Sequence, residues 1–198
     1  MTSAGFQALL PLVVLAIGAT ILMLQIAWAR NPRVTATLAT LTLVLAGLSC
    51  RLAAEHAPLQ VTPLLLADLL ALMFCTLFCL AGAVTALLAQ DYISRGDEPE
   101  EFFLLLVLAT IGACVLAYAV HLASLLLGLE LLSISLYTLI AYPNKSILPL
   151  EAAVKYLVLS GAASATVLFG FALLYAATGA LGFSALGEGL GDSTTGQS

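Results

Sequence analysis

The sequence predicts an all-α polytopic membrane protein of about six transmembrane helices. Two observations carry this. Of 198 residues, 62% are apolar and only 9% are charged, against roughly 25% charged in a soluble domain. The apolar residues also fall into stretches long enough to cross a bilayer, roughly 20 residues each, with prolines and charges gathered between them. An ordinary soluble enzyme and a disordered tail are excluded by this composition. A net charge of −5 excludes a nucleic-acid binder, whose basic footprint is missing. The partner surface that remains is the lipid bilayer.

The spans are expected near 5–29, 34–54, 64–89, 101–120, 122–142 and 150–178. Pro32, Pro58, Pro63, Pro99, Pro143 and Pro149 lie at or between their ends, where proline costs least. Pro11 alone lies inside a span, early enough to fit a first turn or a mild kink. Ala27-Trp28-Ala29 imitates a signal-cleavage site, but no positive region precedes the apolar run, so the first segment reads as a retained helix. The chain divides into three N-terminal helices (1–89), a loop (90–100), helices four to six (101–178) and a polar Gly/Ser/Thr-rich tail (179–198), read as a loop or flexible end.

Basic residues set the expected orientation. Arg30, Arg33, Arg95 and Lys145 fall in one set of loops and Arg51 in the other, which places the first set in the cytoplasm and both ends outside. Trp28 and Tyr92 sit at cytoplasmic helix ends, where amphipathic rings prefer to lie. Asp97, Glu98, Glu100 and Glu101 share the loop of Arg95, but acids weigh little in this rule.

Function must rest on polar residues at depth. Glu130 lies within Leu125–Leu132 with no compensating charge for several turns. Counting about 1.5 Å per residue from His121 puts it roughly 13–15 Å deep, near the bilayer centre. A carboxylate there costs on the order of 3 kcal/mol, so it is expected to face protein or water and to be poised for proton exchange. The competing reading is a protonated glutamic acid serving only as a helix–helix hydrogen bond. Ser133 and Tyr137 follow at i+3 and i+7, giving a polar stripe expected to point into the bundle.

Lys155 is expected about one turn into the sixth helix, with Glu151 four residues before it in the favourable acid-then-base order. It either faces Glu130 from the neighbouring helix or snorkels to the surface. Gly161, Ala162, Ala163, Ser164 and Gly170 follow it, small residues suited to close helix contact. His121 opens the fifth helix on the outer side, as a proton relay or merely a cap. Asp68 is read as a structural contact at the start of the third helix, and Glu55 and His56 as loop residues. Cys75 and Cys79 share a helix face, but no further ligand follows nearby, so neither a metal site nor a disulfide is expected of Cys50, Cys75, Cys79 and Cys114.

The stretches His121–Ser133 and Leu150–Ser164, with Ala8-Leu9-Leu10-Pro11-Leu12 and Ile26–Asn31, resemble subunit N of bacterial respiratory complex I and its antiporter-like relatives. The likeness runs from about residue 6 to 192. It implies that Glu130 matches the family's essential fifth-helix glutamate and Lys155 its sixth-helix lysine. It implies a non-redox subunit of a proton-translocating NADH–quinone oxidoreductase in the bacterial inner membrane, partnered by other membrane-arm subunits. No cofactor is then expected in this chain. NADH, FMN, iron–sulfur clusters and quinone would be bound by other subunits. The family has about fourteen helices in two inverted repeats beginning at helices four and nine. This sequence therefore corresponds to an N-terminal portion, expected to be inactive alone. The alternatives are a subunit of a multisubunit cation/proton antiporter and a non-transporting scaffold fragment.

Overall fold

The computed structural model describes residues 3–93, 99–142 and 147–195; for Ser3 and residues 192–195 only the backbone is described. The expectations placed on Arg95, Lys145, Asp97, Glu98 and Pro143 lie outside these residues. A short α1 (Ser3–Ala8) leads into α2 (Leu10–Trp28), followed by α3 (Pro32–Ala54), strands β1 (Leu59–Thr62) and β2 (Leu65–Ala67), α4 (Leu69–Ile93), α5 (Pro99–Tyr118), α6 (Leu122–Ala141), α7 (Ile147–Thr178) and α8 (Phe183–Thr195). Six of these helices, α2 to α7, are long and apolar enough to span a bilayer. The protein is an all-α multi-pass membrane protein, as its composition indicates.

Local chemistry explains the helix ends. Asn31 accepts from the backbone N–H of Arg33 at 3.2 Å and caps α3, with Pro32 in the first helical position. Pro11 likewise falls in the first turn of α2. Glu100 and Glu101 occupy the first turn of α5, where the helix dipole favours acids. Glu100 belongs to the helix rather than to the loop read at 90–100, Glu101 falls within the span read from 101, and α4 reaches into the same stretch as far as Ile93. Arg30, at the end of α2, reaches Glu101 Oε1 at 3.1 Å and ties the two helix ends together. Gly179 ends α7 at φ +68°, a left-handed conformation that glycine adopts without strain, and its N–H returns to Tyr175 O at 2.7 Å.

The core is a helix bundle in which α3 packs against α2, α4 and α5, and α5 against α2, α3, α4 and α6. Ala36, Ala39, Leu43, Ala46, Cys50 and Ala53 form the buried seam of α3 at alternating three- and four-residue spacing. Most are small, so backbones come close, the usual basis of packing where lipid removes the hydrophobic drive between helices. Threonines at depth satisfy their hydroxyls on the preceding turn, as Thr40 does on Ala36 O and Thr110 on Leu106 O.

Two expectations are corrected. The third span does not start at residue 64: Leu65–Ala67 pairs antiparallel with Leu59–Thr62, and α4 starts only at Leu69. The Thr62 hydroxyl accepts from Leu65 N at 3.1 Å to shape the turn, and Asp68 Oδ1 accepts from Ala71 N at 2.6 Å to cap α4. Hydropathy registers the leucines of this segment but not their conformation. The segment after residue 179 is not a loop throughout, because α8 covers Phe183–Thr195 and packs on α7.

The hairpin gathers the chain's other irregular backbone on one side of the bundle. Val120 N donates to Leu64 O at 3.2 Å, Phe183 N to Val120 O at 3.0 Å and Leu122 N to Leu181 O at 2.9 Å. The Ser124 hydroxyl adds a 2.7 Å bond to Leu64 O. The short α5–α6 turn is thereby held from both sides, and backbone groups that helices leave unpaired find partners near the membrane surface.

Candidate functional site

α5 and α6 touch backbone to backbone. A Cβ built on Gly112 would lie 2.6 Å from Leu132 N, and one on Gly128 would lie 2.9 Å from Leu116 N. These two glycines therefore set the separation of the helices. The close contact expected in helix six sits here instead: among the described residues, nothing lies within 4 Å of a Cβ built on Gly161 or Gly170 of α7. Ser124, Gly128 and Ser135 form the buried face of α6 toward α5. At 3.6 residues per turn, Glu130, Ser133 and Tyr137 lie together on the opposite side.

That polar stripe is real but unevenly buried. Ser133 is 9% exposed, whereas Glu130 and Tyr137 are half-buried. Glu130 lies at the rim, between buried Ser133 and exposed Leu127 and Ile134. Its carboxyl has no hydrogen bond or ion pair among the described residues. Nine residues separate it from His121 at the helix start, about 13 Å along the axis. His121 caps α6, its Nδ1 accepting from Ala123 N at 3.1 Å. The neutral ring therefore carries its proton on Nε2, the atom left for exchange. Leucines fill most of the interval between the two, so a proton path between them needs water.

Lys155 is placed differently from the sequence expectation. It stands eight residues into α7, about two turns rather than one. It does not pair with Glu130; its Nζ pairs with Glu151 Oε1. The buried residues of α7 are Ala153 and Ser164, eleven apart and so on one face. Lys155 points nearly opposite to that face and is 69% exposed. Ser164 brings to the packed side of α7 a buried hydroxyl that has no hydrogen-bond partner among the described residues.

Two features went unread in the sequence. Glu100, assigned to a loop, is buried at the start of α5, only 4% exposed. The expectation that no further thiol joins Cys75 and Cys79 is overturned: Cys114 of α5 meets them, and the three sulfurs lie within 4.8 Å of one another. The signal was tertiary, since Cys114 is distant in sequence and α5 packs beside α4.

Comparison with known proteins places this architecture. The family model described as NADH:quinone oxidoreductase/Mrp antiporter, TM matches residues 119–198, which hold His121, Glu130 and Lys155. A chain of respiratory complex I from Thermus thermophilus superposes with a TM-score of 0.76 at 32% identity, over 87% of this chain and 38% of that one. A chain of the membrane-bound sulfane sulfur reductase, an archaeal respiratory membrane complex, superposes with a TM-score of 0.78 over 90% of this chain and 39% of that one. At 23% identity the second shows the fold alone. The chain spans under two fifths of the length of either. With six bilayer-spanning helices in that arrangement, the chain belongs to the NADH:quinone oxidoreductase/Mrp antiporter family of antiporter-like membrane subunits.

Proposed function

We propose that this chain belongs to a membrane-arm subunit, of the N type, of a bacterial proton-translocating NADH–quinone oxidoreductase, and that Glu130 is the group that takes up and releases protons. The observation that carries this is a half-buried carboxyl near the middle of a spanning helix with no hydrogen-bond or ion-pair partner among the described residues. A fixed structural hydrogen bond would give Glu130 a mate; a carboxyl that cycles between protonation states must remain free to exchange. His121 offers Nε2 at the hairpin end, assigned here to the outer face. Ser133 and Tyr137 supply hydroxyls on the same stripe for water to bridge. Lys155 and Glu151 lie on the far face of α7 and extend the row of ionisable groups away from α6. The partners are the other membrane-arm subunits, and the redox chemistry belongs to subunits that bind NADH, flavin, iron–sulfur clusters and quinone.

The test is NADH-driven proton uptake by inverted membrane vesicles containing the complete complex, normalised to assembled enzyme. Glu130→Gln keeps shape and hydrogen bonding but removes titration, so assembly should survive and pumping should fall. Glu130→Asp should retain part of the activity. Full pumping by Glu130→Gln at normal assembly would make the residue structural.

The family description also covers multisubunit cation/proton antiporters, which favours a second reading as a subunit of that kind. Co-purification with flavin and iron–sulfur subunits selects the first reading; rescue of sodium-dependent growth selects the second.

A further inference from the structure

We propose that Cys75, Cys79 and Cys114 form a site for one soft, thiophilic monovalent metal ion, copper(I) being the physiological member of that class. Cys75 and Cys79 stand one turn apart on α4, and Cys114 enters from α5. All three are buried, at 0%, 1% and 0% exposure. Their sulfurs lie within 4.8 Å of one another, with Cys75 and Cys114 at 3.1 Å. A metal centred among three sulfurs at about 2.3 Å needs a triangle with edges of about 4 Å. The group is already close to that scale, and the Cys75–Cys114 edge must open by about 1 Å.

Donor type and number select the ion. No histidine or carboxylate joins the group among the described residues, and all-thiol sites favour soft ions. Zinc in structural sites takes four ligands in a tetrahedron. The fourth thiol, Cys50 of α3, adjoins Cys75 but stands outside the triangle, and donates to Ala46 O at 3.4 Å. Three converging sulfurs make a trigonal set, which a closed-shell monovalent ion accepts. Each ligating thiol ionises as copper(I) binds: three copper–sulfur bonds replace three sulfur–hydrogen bonds, and three protons leave to solvent.

The experiment uses the full chain purified in detergent, reduced and anaerobic, and titrated with copper(I) against a chromophoric copper(I) chelator. We expect one copper and three released protons per chain, with X-ray absorption showing three sulfur neighbours. Cys79→Ser and Cys114→Ser should each weaken binding at least ~100-fold, more than the loss of a residue that only orients a ligand. Cys50→Ser should change it less than about threefold, because that thiol is not a ligand. Helical circular dichroism checks the folding of each variant, and the sulfur count of the unsubstituted chain does not depend on any variant. Copper that the chelator strips completely, a sulfur count other than three, or Cys50→Ser as damaging as Cys79→Ser would overturn the proposal. So would preferential retention of zinc(II), or a two-dalton mass loss without bound metal, which is the mark of a disulfide.

Discussion

Adding one methyl group at the α5–α6 contact should loosen the membrane bundle measurably. In Gly112→Ala the new carbon would stand 2.6 Å from Leu132 N, 2.9 Å from Leu132 Cα and 3.0 Å from Gly128 O. All three are backbone atoms, so no side chain can swing aside. Ordinary contact needs about 3.5–4 Å, so the two helices must part by about 1 Å. Forced overpacking of this kind costs about 1–3 kcal/mol. For a chain of this size each kcal/mol lowers the melting midpoint by about 2–4 °C, so a loss of roughly 5 °C is expected. Gly128→Ala meets Leu116 N at 2.9 Å and Gly112 O at 3.1 Å and should cost a similar amount. Both substitutions push the same pair of helices apart, so the double variant should lose less than the sum. Gly161→Ala is the control: among the described residues nothing lies within 4 Å of its added carbon, and replacing a helical glycine gains up to about 1 kcal/mol. Thermal unfolding in detergent, followed by circular dichroism, reads all four proteins. An unchanged midpoint for Gly112→Ala and Gly128→Ala would refute the close approach of α5 and α6.

Asp68→Ala removes the carboxylate that accepts from Ala71 N and should cost about 1 kcal/mol, with Asp68→Asn retaining most of the stability in the same melt. Lys155→Ala should lower proton uptake less than Glu130→Gln does, because its pairing with Glu151 is exposed on both sides and worth under ~1 kcal/mol; equal losses would place the lysine on the essential path. Glu188→Gln, exposed on α8, should leave uptake unchanged. A reporter active only outside the cytoplasm should work when fused after Ala180 and fail when fused after Ile93, and the reverse pattern would invert the orientation.

Hydropathy made the six crossings legible because spanning a bilayer is a one-dimensional demand on composition. The cap of α6 was legible because the capping side chain, His121, is local. Leu64–Ala67 misled for the same reason that the spans were easy: apolarity reports depth, and a hairpin folded onto the bundle is as apolar as a helix end. Asp68 carried the true boundary, a capping residue standing where the apolar run looks unbroken. The stripe of Glu130, Ser133 and Tyr137 followed from helical periodicity alone. The facing of Lys155 did not, because periodicity fixes which residues share a face but not which neighbour that face meets. Only the burial of Ala153 and Ser164 shows that the lysine turns away from α6. The thiol triangle was out of reach on similar grounds, since one member comes from a different helix.

The knotting of the α5–α6 turn has a mechanical consequence. With Val120 and Leu122 bonded to the hairpin on one side and to the segment before α8 on the other, that end of the pair is anchored like the foot of a mast. Rocking of the helices must then pivot there, and its amplitude must grow toward the opposite membrane face. A 20-residue helix is about 30 Å long, so a tilt of ~5° carries its free end about 2.6 Å. At the height of Glu130 the same tilt gives only about 1 Å. That is well under the width of a water molecule, so the packing around Glu130 is kept while the free end moves, and the caps and backbone pairs at the anchored end remain undisturbed.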